Sequence, residues 1–260
     1  MALFIDLAGR VALVTGGGRG VGRGIARRLL EAGAEVVVCG RKEPESLPEG
    51  GGRRAHFVAA DVRDAESIAA LFDAVTARCG RLDVLVNNAG GAPAADAATA
   101  SPRFHEKIIA LNLVAALHCA QRANALMQAQ PEGGVIISIT SVSGMRPSPG
   151  TAAYGAAKAG LISLTQSLAV EWAPKVRVVA VGAGMVRTEL SHLHFGDEAG
   201  VRRAGASVPL GRMADPEDLG DACAFLASPL ASYISGVTLL LHGGGEPPAF
   251  LVHDESPRRS

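Results

Sequence analysis

Tyr154 and Lys158 stand four residues apart where an alanine-rich run begins, and Ser141 precedes them across a loop rich in Pro, Gly and Ser. On a helix, residues four apart share a face, so the phenol and the ammonium point the same way. A free tyrosine titrates near pH ~10, too high for proton exchange at neutrality by roughly 3–4 kcal/mol. An ammonium about 4 Å away, at an effective dielectric of about 20, supplies on the order of 4 kcal/mol in favour of phenolate. The spacing therefore predicts an acid/base tyrosine readied by its lysine. The Ser141 hydroxyl can hold a carbonyl or alcohol oxygen beside it. Alone, Y-x-x-x-K is also the pattern of an ordinary amphipathic face, so the elements around it must decide.

Those elements alternate. Short apolar runs at Val11–Thr15, Val36–Cys39, Ala55–Ala60, Val84–Asn87, Val135–Ile139, Val176–Val181 and Val237–Leu241 read as buried strands. Helical patterns separate them at Val21–Ala32, Ala65–Cys79, Phe104–Ala129, Ala152–Ala173 and Pro216–Leu226. Such alternation predicts an α/β fold with a parallel sheet covered on both faces. No repeat or linker divides the chain, so residues 1–245 read as a single domain and 246–260 as a tail.

Composition narrows the function. The 260 residues carry 25 basic and 25 acidic side chains, which leaves no electrostatic footprint for nucleic acid. Cys39, Cys79, Cys119 and Cys223 are scattered without a C-x-x-C pair, so neither a zinc site nor a disulfide framework is expected. His192, His194 and His242 form no metal-ligand pattern with acids. The N-terminus meets Asp6 too early for a signal peptide, and no apolar run approaches a membrane span. The expectation is a soluble, cytoplasmic protein without metal.

A second constellation surrounds the first strand. T-G-G-G-R-G-V-G (15–22) sets Gly16, Gly18, Arg19, Gly20, Val21 and Gly22 between that strand and the first helix. The G-x-x-x-G-x-G spacing lets backbone N–H groups approach a pyrophosphate at a helix N-terminus. At the end of the second strand, where a carboxylate would bind the ribose 2′-hydroxyl of NAD, stand Cys39 and Gly40, followed by Arg41. Arg19 and Arg41 suit the 2′-phosphate of NADP(H), with NAD(H) as the alternative. Asp61 could accept from an adenine amino group while Val62 packs on the ring, or else cap the next helix. Asn88, Ala89 and Gly90, in N-N-A-G, make a tight turn that leaves room for an adenosine ribose. Asn112 is a polar residue in an apolar helical run: either a satisfied core amide or a kink holding a water beside Lys158.

From about Gly9 to Gly244 these motifs, taken in order, resemble the short-chain dehydrogenases/reductases (SDRs). M-V-R-T (185–188) and L-L-H-G-G (240–244) extend the likeness. The resemblance implies a Rossmann-like doubly wound parallel sheet of about seven strands. It implies a Ser141-Tyr154-Lys158-Asn112 constellation in which Lys158 also holds the nicotinamide ribose and Asn112 positions a relay water. Gly184, Val186 and Thr188 would border the nicotinamide. The activity implied is interconversion of a secondary alcohol and a ketone by hydride transfer with NAD(P)(H). Alternatives are an NAD-dependent hydroxysteroid or hydroxyacyl dehydrogenase and, more remotely, a non-catalytic dinucleotide sensor. Family members are usually homotetramers or homodimers. One departure matters: after the sixth strand the family has N-x-V-x-P-G, whereas Val179 and Ala183 occupy the Asn and Pro positions here. Losing that proline relaxes the turn beside the nicotinamide.

Segments 91–102, 144–150 and 188–208 are expected to line an apolar small-molecule substrate. The last carries Leu190, His192, Leu193 and Phe195 before charged residues, the pattern of a mobile lid or of a surface helix packed on its own domain. Thr188 could instead cap that helix. Met145 hints at an apolar pocket. Arg146 could meet an anionic substrate group or remain solvated. Trp172 is expected in the core, and the tail patch A-F-L-V could dock on a neighbouring subunit.

Overall fold

The computed structural model of the chain describes residues 4–246; the A-F-L-V patch lies outside the described residues. Strand β1 (Val11–Thr15) leads into helix α1 (Gly20–Glu31) and β2 (Glu35–Gly40). A small hairpin, β3 (Glu49–Gly50) and β4 (Arg53–Arg54), precedes β5 (His56–Ala59), α2 (Ala65–Cys79) and β6 (Val84–Asn87). Helix α3 (Pro102–Ile109) passes through a π-helical turn (Ala110–Val114) into α4 (Ala115–Ala129), and then comes β7 (Gly134–Ser141). A 3-10 turn (Val142–Gly144) leads to α5 (Ala152–Glu171) and β8 (Val176–Ala183). The short α6 (His192–Phe195), α7 (Glu198–Ala206), α8 (Pro216–Ala227) and β9 (Thr238–Leu241) follow.

Seven strands make one parallel, Rossmann-like sheet in the order β5-β2-β1-β6-β7-β8-β9. Side chains alternate between its faces, as the strand period of two requires. Ala12, Val14, Val36 and Val38 pack with Ile25, Leu29, Leu219 and Cys223 of α1 and α8. Leu13, Val37 and Cys39 turn to the opposite layer, against Leu71 and Phe72 of α2 and Cys119 and Met127 of α4. Fully burying one leucine of this kind contributes about 1.5–3 kcal/mol. The order reverses between β1 and β6, and in open parallel sheets the crevice above such a reversal is where ligands bind.

Several details differ from the sequence reading. The single helix expected over 104–129 is broken by the π turn at Asn112. Strand β8 runs on to Ala183, which pairs with Ser141 on one side and Leu241 on the other. A proline there would have removed a ladder donor, so the substituted alanine lengthens the strand. The β3–β4 hairpin was not foreseen; Gly51 and Gly52 both adopt positive φ (57° and 72°), as a tight two-residue turn of this kind demands. Trp172 is only half-buried, packed against the α2/α4 layer where α5 ends.

Candidate active site

The glycine turn is shaped by contacts that admit no side chain. Gly16 has φ 65°, and its N–H donates to the Cys39 carbonyl at 2.9 Å. A Cβ on Gly22 would lie 2.4 Å from the Gly16 carbonyl oxygen and 2.5 Å from Asn88 Nδ2. Only glycine lets α1 start this close to the end of β1. The start of α1 is left open: Arg19 occupies the N-cap without a side-chain capping bond, and the first turn holds no acid. By contrast, the Asp64 carboxylate caps α2 by accepting from Glu66 and Ser67 N–H. Free N–H groups at the positive end of a helix fit a pyrophosphate. Thr188 and Glu189 face this opening: a Cβ on Gly20 would stand 3.6 Å from Thr188 Cγ2 and 3.8 Å from each Glu189 carboxylate oxygen.

Thr15 links the glycine turn to N-N-A-G, a role the sequence reading missed. Its Oγ1 accepts the Asn88 and Ala89 N–H groups, each at 3.0 Å, and donates to the Val86 carbonyl at 3.3 Å. Asn88 Nδ2 donates back to the Thr15 carbonyl at 2.8 Å. Asn87 Nδ2 donates to the Ala116 carbonyl at 3.0 Å and so ties β6 to α4. The signal available in the sequence was a hydroxyl residue at the last position of a buried strand, directly before a glycine turn.

Arg19 and Arg41 are both exposed, and Arg41 helps draw down the pKa of Asp61 at the end of the neighbouring strand. Asp61 is not a free acceptor. Arg63 grips both its oxygens with Nε and Nη2, and the Arg63 N–H donates to Oδ1 at 3.0 Å. That grip is the main reason its carboxyl is held down to about 2. Val62 is buried against the α2/α4 layer.

The four residues of the proposed constellation do converge. Lys158 is buried, and its Nζ donates to the Ile139 carbonyl at 2.8 Å and lies 5.6 Å from the centre of the Tyr154 ring. A Cβ on Gly90 would come within 3.4 Å of Lys158 Nζ and 2.6 Å of Asn112 Oδ1. Ser141 Oγ accepts the Ser143 N–H at 3.1 Å, and its hydroxyl is hydrogen-bonded to Tyr154. Asn112 is a satisfied amide and a kink at once: Nδ2 donates to Gly91 O (3.0 Å) and Ile108 O (2.9 Å), while Oδ1 accepts from Gly91 N–H (2.8 Å).

The electrostatics correct one expectation. The sequence reading had Lys158 loosening the Tyr154 proton. In the structure burial pushes the phenol up from its ordinary value, and the hydrogen bond from Ser141 pulls it partly back. Burial also brings Lys158 down to about 8. Burial opposes both ionised forms at once, and the Lys158 Nζ is turned to the Ile139 carbonyl, neither of which helical spacing alone reveals.

The far wall is the exit of β8. Gly184 lies so close to the turn after β9 that a Cβ there would come within 2.9 Å of His242 Cα. Val186 bridges to Ala214. The N–H of Thr188 donates to Ser191 Oγ at 2.9 Å, and Thr188 Oγ1 accepts from Leu190 N–H. Ser191, not Thr188, holds the N-cap position of α6. Leu190, just before α6, and Leu193 on it are exposed. Ala92, Pro93, Ala95, Ala97, Phe104, His105, Ile108 and 150–154 line a small cavity beside Tyr154. Met145 is exposed, and Arg146 is paired with Glu246 rather than merely solvated.

A sequence profile described as Enoyl-(Acyl carrier protein) reductase matches residues 16–246. The chain is 36% identical over 250 residues to 3beta-hydroxysteroid dehydrogenase 1 of Eggerthella lenta, covering 93% of this chain and 95% of that protein. It is 39% identical over 244 residues to cis-4-hydroxycyclohexanecarboxylate dehydrogenase of Sinomonas cyclohexanicum, covering 91% and 96%. The ligand-free aldohexose dehydrogenase of Thermoplasma acidophilum superposes with a TM-score of 0.86 at 29% identity, covering 93% of this chain and 96% of that one. The chain belongs to the short-chain dehydrogenase/reductase family. It is an oxidoreductase interconverting alcohol and carbonyl groups, in a family that uses NAD(P).

Proposed function

We propose that the protein interconverts an apolar secondary alcohol and its ketone with NADP(H), Tyr154 acting as general acid/base. The observation carrying this reading is the convergence of Ser141, Tyr154, Lys158 and Asn112 beside the open start of α1, at the reversal of strand order. The turn from Gly16 to Gly22, Asn88, Ala89, Gly90, Gly184, Val186 and Thr188 would hold the dinucleotide, with Asp61 and Val62 at its adenine end. The bound nicotinamide supplies or accepts the hydride. In reduction the Tyr154 hydroxyl donates its proton to the carbonyl oxygen, which Ser141 helps to hold; in oxidation the proton returns to Tyr154. Lys158 keeps the phenol in place from beneath the ring and is available to the nicotinamide ribose.

The NADP(H) preference rests on Gly40 and Arg41: no carboxylate stands at the end of β2, while a guanidinium follows directly. The names of the relatives favour cyclic secondary alcohols, and an NAD-dependent hydroxysteroid dehydrogenase is the second reading. The catalytic unit is residues 1–245, with 91–102, 144–150 and 188–208 around the substrate. A homo-oligomer, most readily a tetramer, fits the exposed Tyr233, Val237, Leu239 and Leu240 around edge strand β9 and the exposed Ile109 and Val114 on the α3–α4 helix. A cytoplasmic setting is consistent with four cysteines that all remain thiols. Among the described residues no helix is long and apolar enough to cross a membrane.

The test is Tyr154→Phe. Turnover should fall by roughly 10²–10⁴-fold, the usual contribution of a positioned acid/base, while dinucleotide affinity measured by fluorescence stays near wild type. Full activity in this variant would remove the mechanism.

A further inference from the structure

We infer that Arg146 is the docking point for a carboxylate on the substrate, and that Glu246 is the chain's own carboxylate keeping that place. The inference rests on reading this cleft as the site where a secondary alcohol is oxidised. Arg146 follows the 3-10 turn that Ser141 opens, and its backbone N–H donates to the Val142 carbonyl at 3.2 Å. Its Nη1 donates to the Pro147 carbonyl at 2.8 Å, and its Nη2 donates to Glu246 Oε1. Glu246 arrives on the chain beyond β9. Beyond β9 the chain passes Gly184 at His242, and the Gly243 carbonyl accepts from Leu210 N–H at 3.0 Å.

Strands β7, β8 and β9 are consecutive in the sheet. A pair running from the loop after β7 to the chain after β9 therefore spans the C-terminal end of β8. Gly184, Val186 and Thr188 leave the sheet there, next to Ser141, whose strand pairs Ser141 with Ala183. The Arg146–Glu246 pair is thus a carboxylate–guanidinium contact joining the loop after β7 to the chain after β9, at the end of the sheet where Ser141 stands.

Its chemistry suits exchange. A guanidinium carries five N–H donors in a planar fork, and two are committed here. The side chains are 40% and 56% exposed, so water competes with the pair and a second carboxylate can replace Glu246 at little cost. Met145, exposed beside Arg146, offers an apolar surface to whatever lies between that carboxylate and the reacting hydroxyl. The ligand class that fits is an apolar hydroxy acid whose hydroxyl and carboxylate are held apart by a ring or a short chain. A neutral alcohol would leave the Arg146–Glu246 pair in place.

Steady-state kinetics on 3- and 4-hydroxycyclohexanecarboxylate and on their methyl esters tests this with wild type, Arg146→Gln and Glu246→Gln. Thermal melts of each variant check that folding is unchanged. Arg146→Gln should raise KM for a hydroxy acid about tenfold or more, the effect of losing one charge-assisted contact, with the ester KM within about twofold of wild type. Glu246→Gln should lower KM for the acid and leave the ester alone. Equal effects on acid and ester, no effect of Arg146→Gln, or a weaker acid KM in Glu246→Gln would each overturn the inference. Turnover of esters without acids by wild type would also overturn it, with the alcohol-oxidising reading intact. Failure with every alcohol would take that reading down as well.

Discussion

Lys158 donates to the Ile139 carbonyl at 2.8 Å while its Nζ stands 5.6 Å from the centre of the Tyr154 ring. One buried ammonium thus anchors the end of β7 and underlies the Tyr154 ring. It is held at about 8 against an ordinary 10.5, a difference worth about 3 kcal/mol. A base with a depressed folded pKa leaves the unfolded chain holding more protons between the two values. The Lys158 contribution to the stability of the protein without cofactor should therefore rise as pH climbs from about 8 towards 10.5, against the opposite contribution of the four thiols, whose pKa values burial raises. Below about 8 the full cost of burying the charge is present. The urea midpoint of wild type measured relative to Lys158→Met should rise across this range, because the thiols are common to both. An unchanged slope in the variant would assign the titration to another group.

Thr15 should prove as important to the site as the glycines it precedes. Its hydroxyl accepts two N–H groups of N-N-A-G, and the residue is almost fully buried. Thr15→Val keeps the shape and strands both donors, which should cost about 2–4 kcal/mol at roughly 1–3 per unsatisfied group, less any repair by water. Dinucleotide affinity should fall with it, because the loop that Thr15 holds also contacts the glycine turn. Thr15→Ser keeps the hydroxyl and should recover most of both. Chemical denaturation with cofactor titration measures the two losses; a valine variant as stable as wild type would show that the loop is held elsewhere.

Much of this was legible in the sequence for identifiable reasons. Parallel strands buried on both faces must be continuous apolar runs, so Val11–Thr15 and Val84–Asn87 were read with their true boundaries. The glycine turn, N-N-A-G, Ser141 and the exit of β8 sit at strand ends, where any α/β sheet brings them together, whereas Tyr154, Lys158 and Asn112 reach the cleft from helices. What escaped needed partners distant in the chain. The π turn at Asn112 is closed by Gly91, on a loop that no helical periodicity reveals. The depressed lysine and raised tyrosine depend on burial, which spacing alone cannot supply. Arg63 gripping Asp61 is local but invisible to a motif search, because the pattern records only the carboxylate. Helix α7 lies in the segment that the sequence left open between a mobile lid and a surface helix; Asp197 starts it by accepting the Gly200 N–H at 2.9 Å.

Cofactor choice should turn on the end of β2. Gly40 carries no side chain, and a Cβ there would meet nothing nearer than 3.7 Å, so the position has room for an acid. Gly40→Asp places a carboxylate where a ribose 2′-hydroxyl is normally bound and a 2′-phosphate is repelled. Arg41→Ala removes the neighbouring guanidinium. Each change should lower NADP affinity about tenfold, as expected for one charge-assisted contact, and Gly40→Asp should also strengthen NAD. Paired fluorescence titrations with the two dinucleotides read the ratio. If wild type binds both alike and neither substitution moves the ratio, Arg41 is an ordinary surface charge.

Glu189 should act as a brake on dinucleotide binding. Its carboxylate faces the uncapped start of α1, both oxygens 3.8 Å from the position a Gly20 Cβ would take. A helix N-terminus attracts a nearby anion by about 0.3–1 kcal/mol, and a pyrophosphate must take that place against the carboxylate's repulsion. Because Glu189 lies on the segment that carries α6, displacing it would also move the apolar side chains of Leu190 and Leu193. Glu189→Gln should tighten dinucleotide binding about two- to fivefold, the equivalent of that attraction, with most of the gain at low ionic strength, where charge repulsion is least screened. Titrations at low and high salt separate this from a steric effect, since a purely steric side chain gives the same affinity in both. Weaker binding in Glu189→Gln would mean that the carboxylate supports the cofactor instead of opposing it.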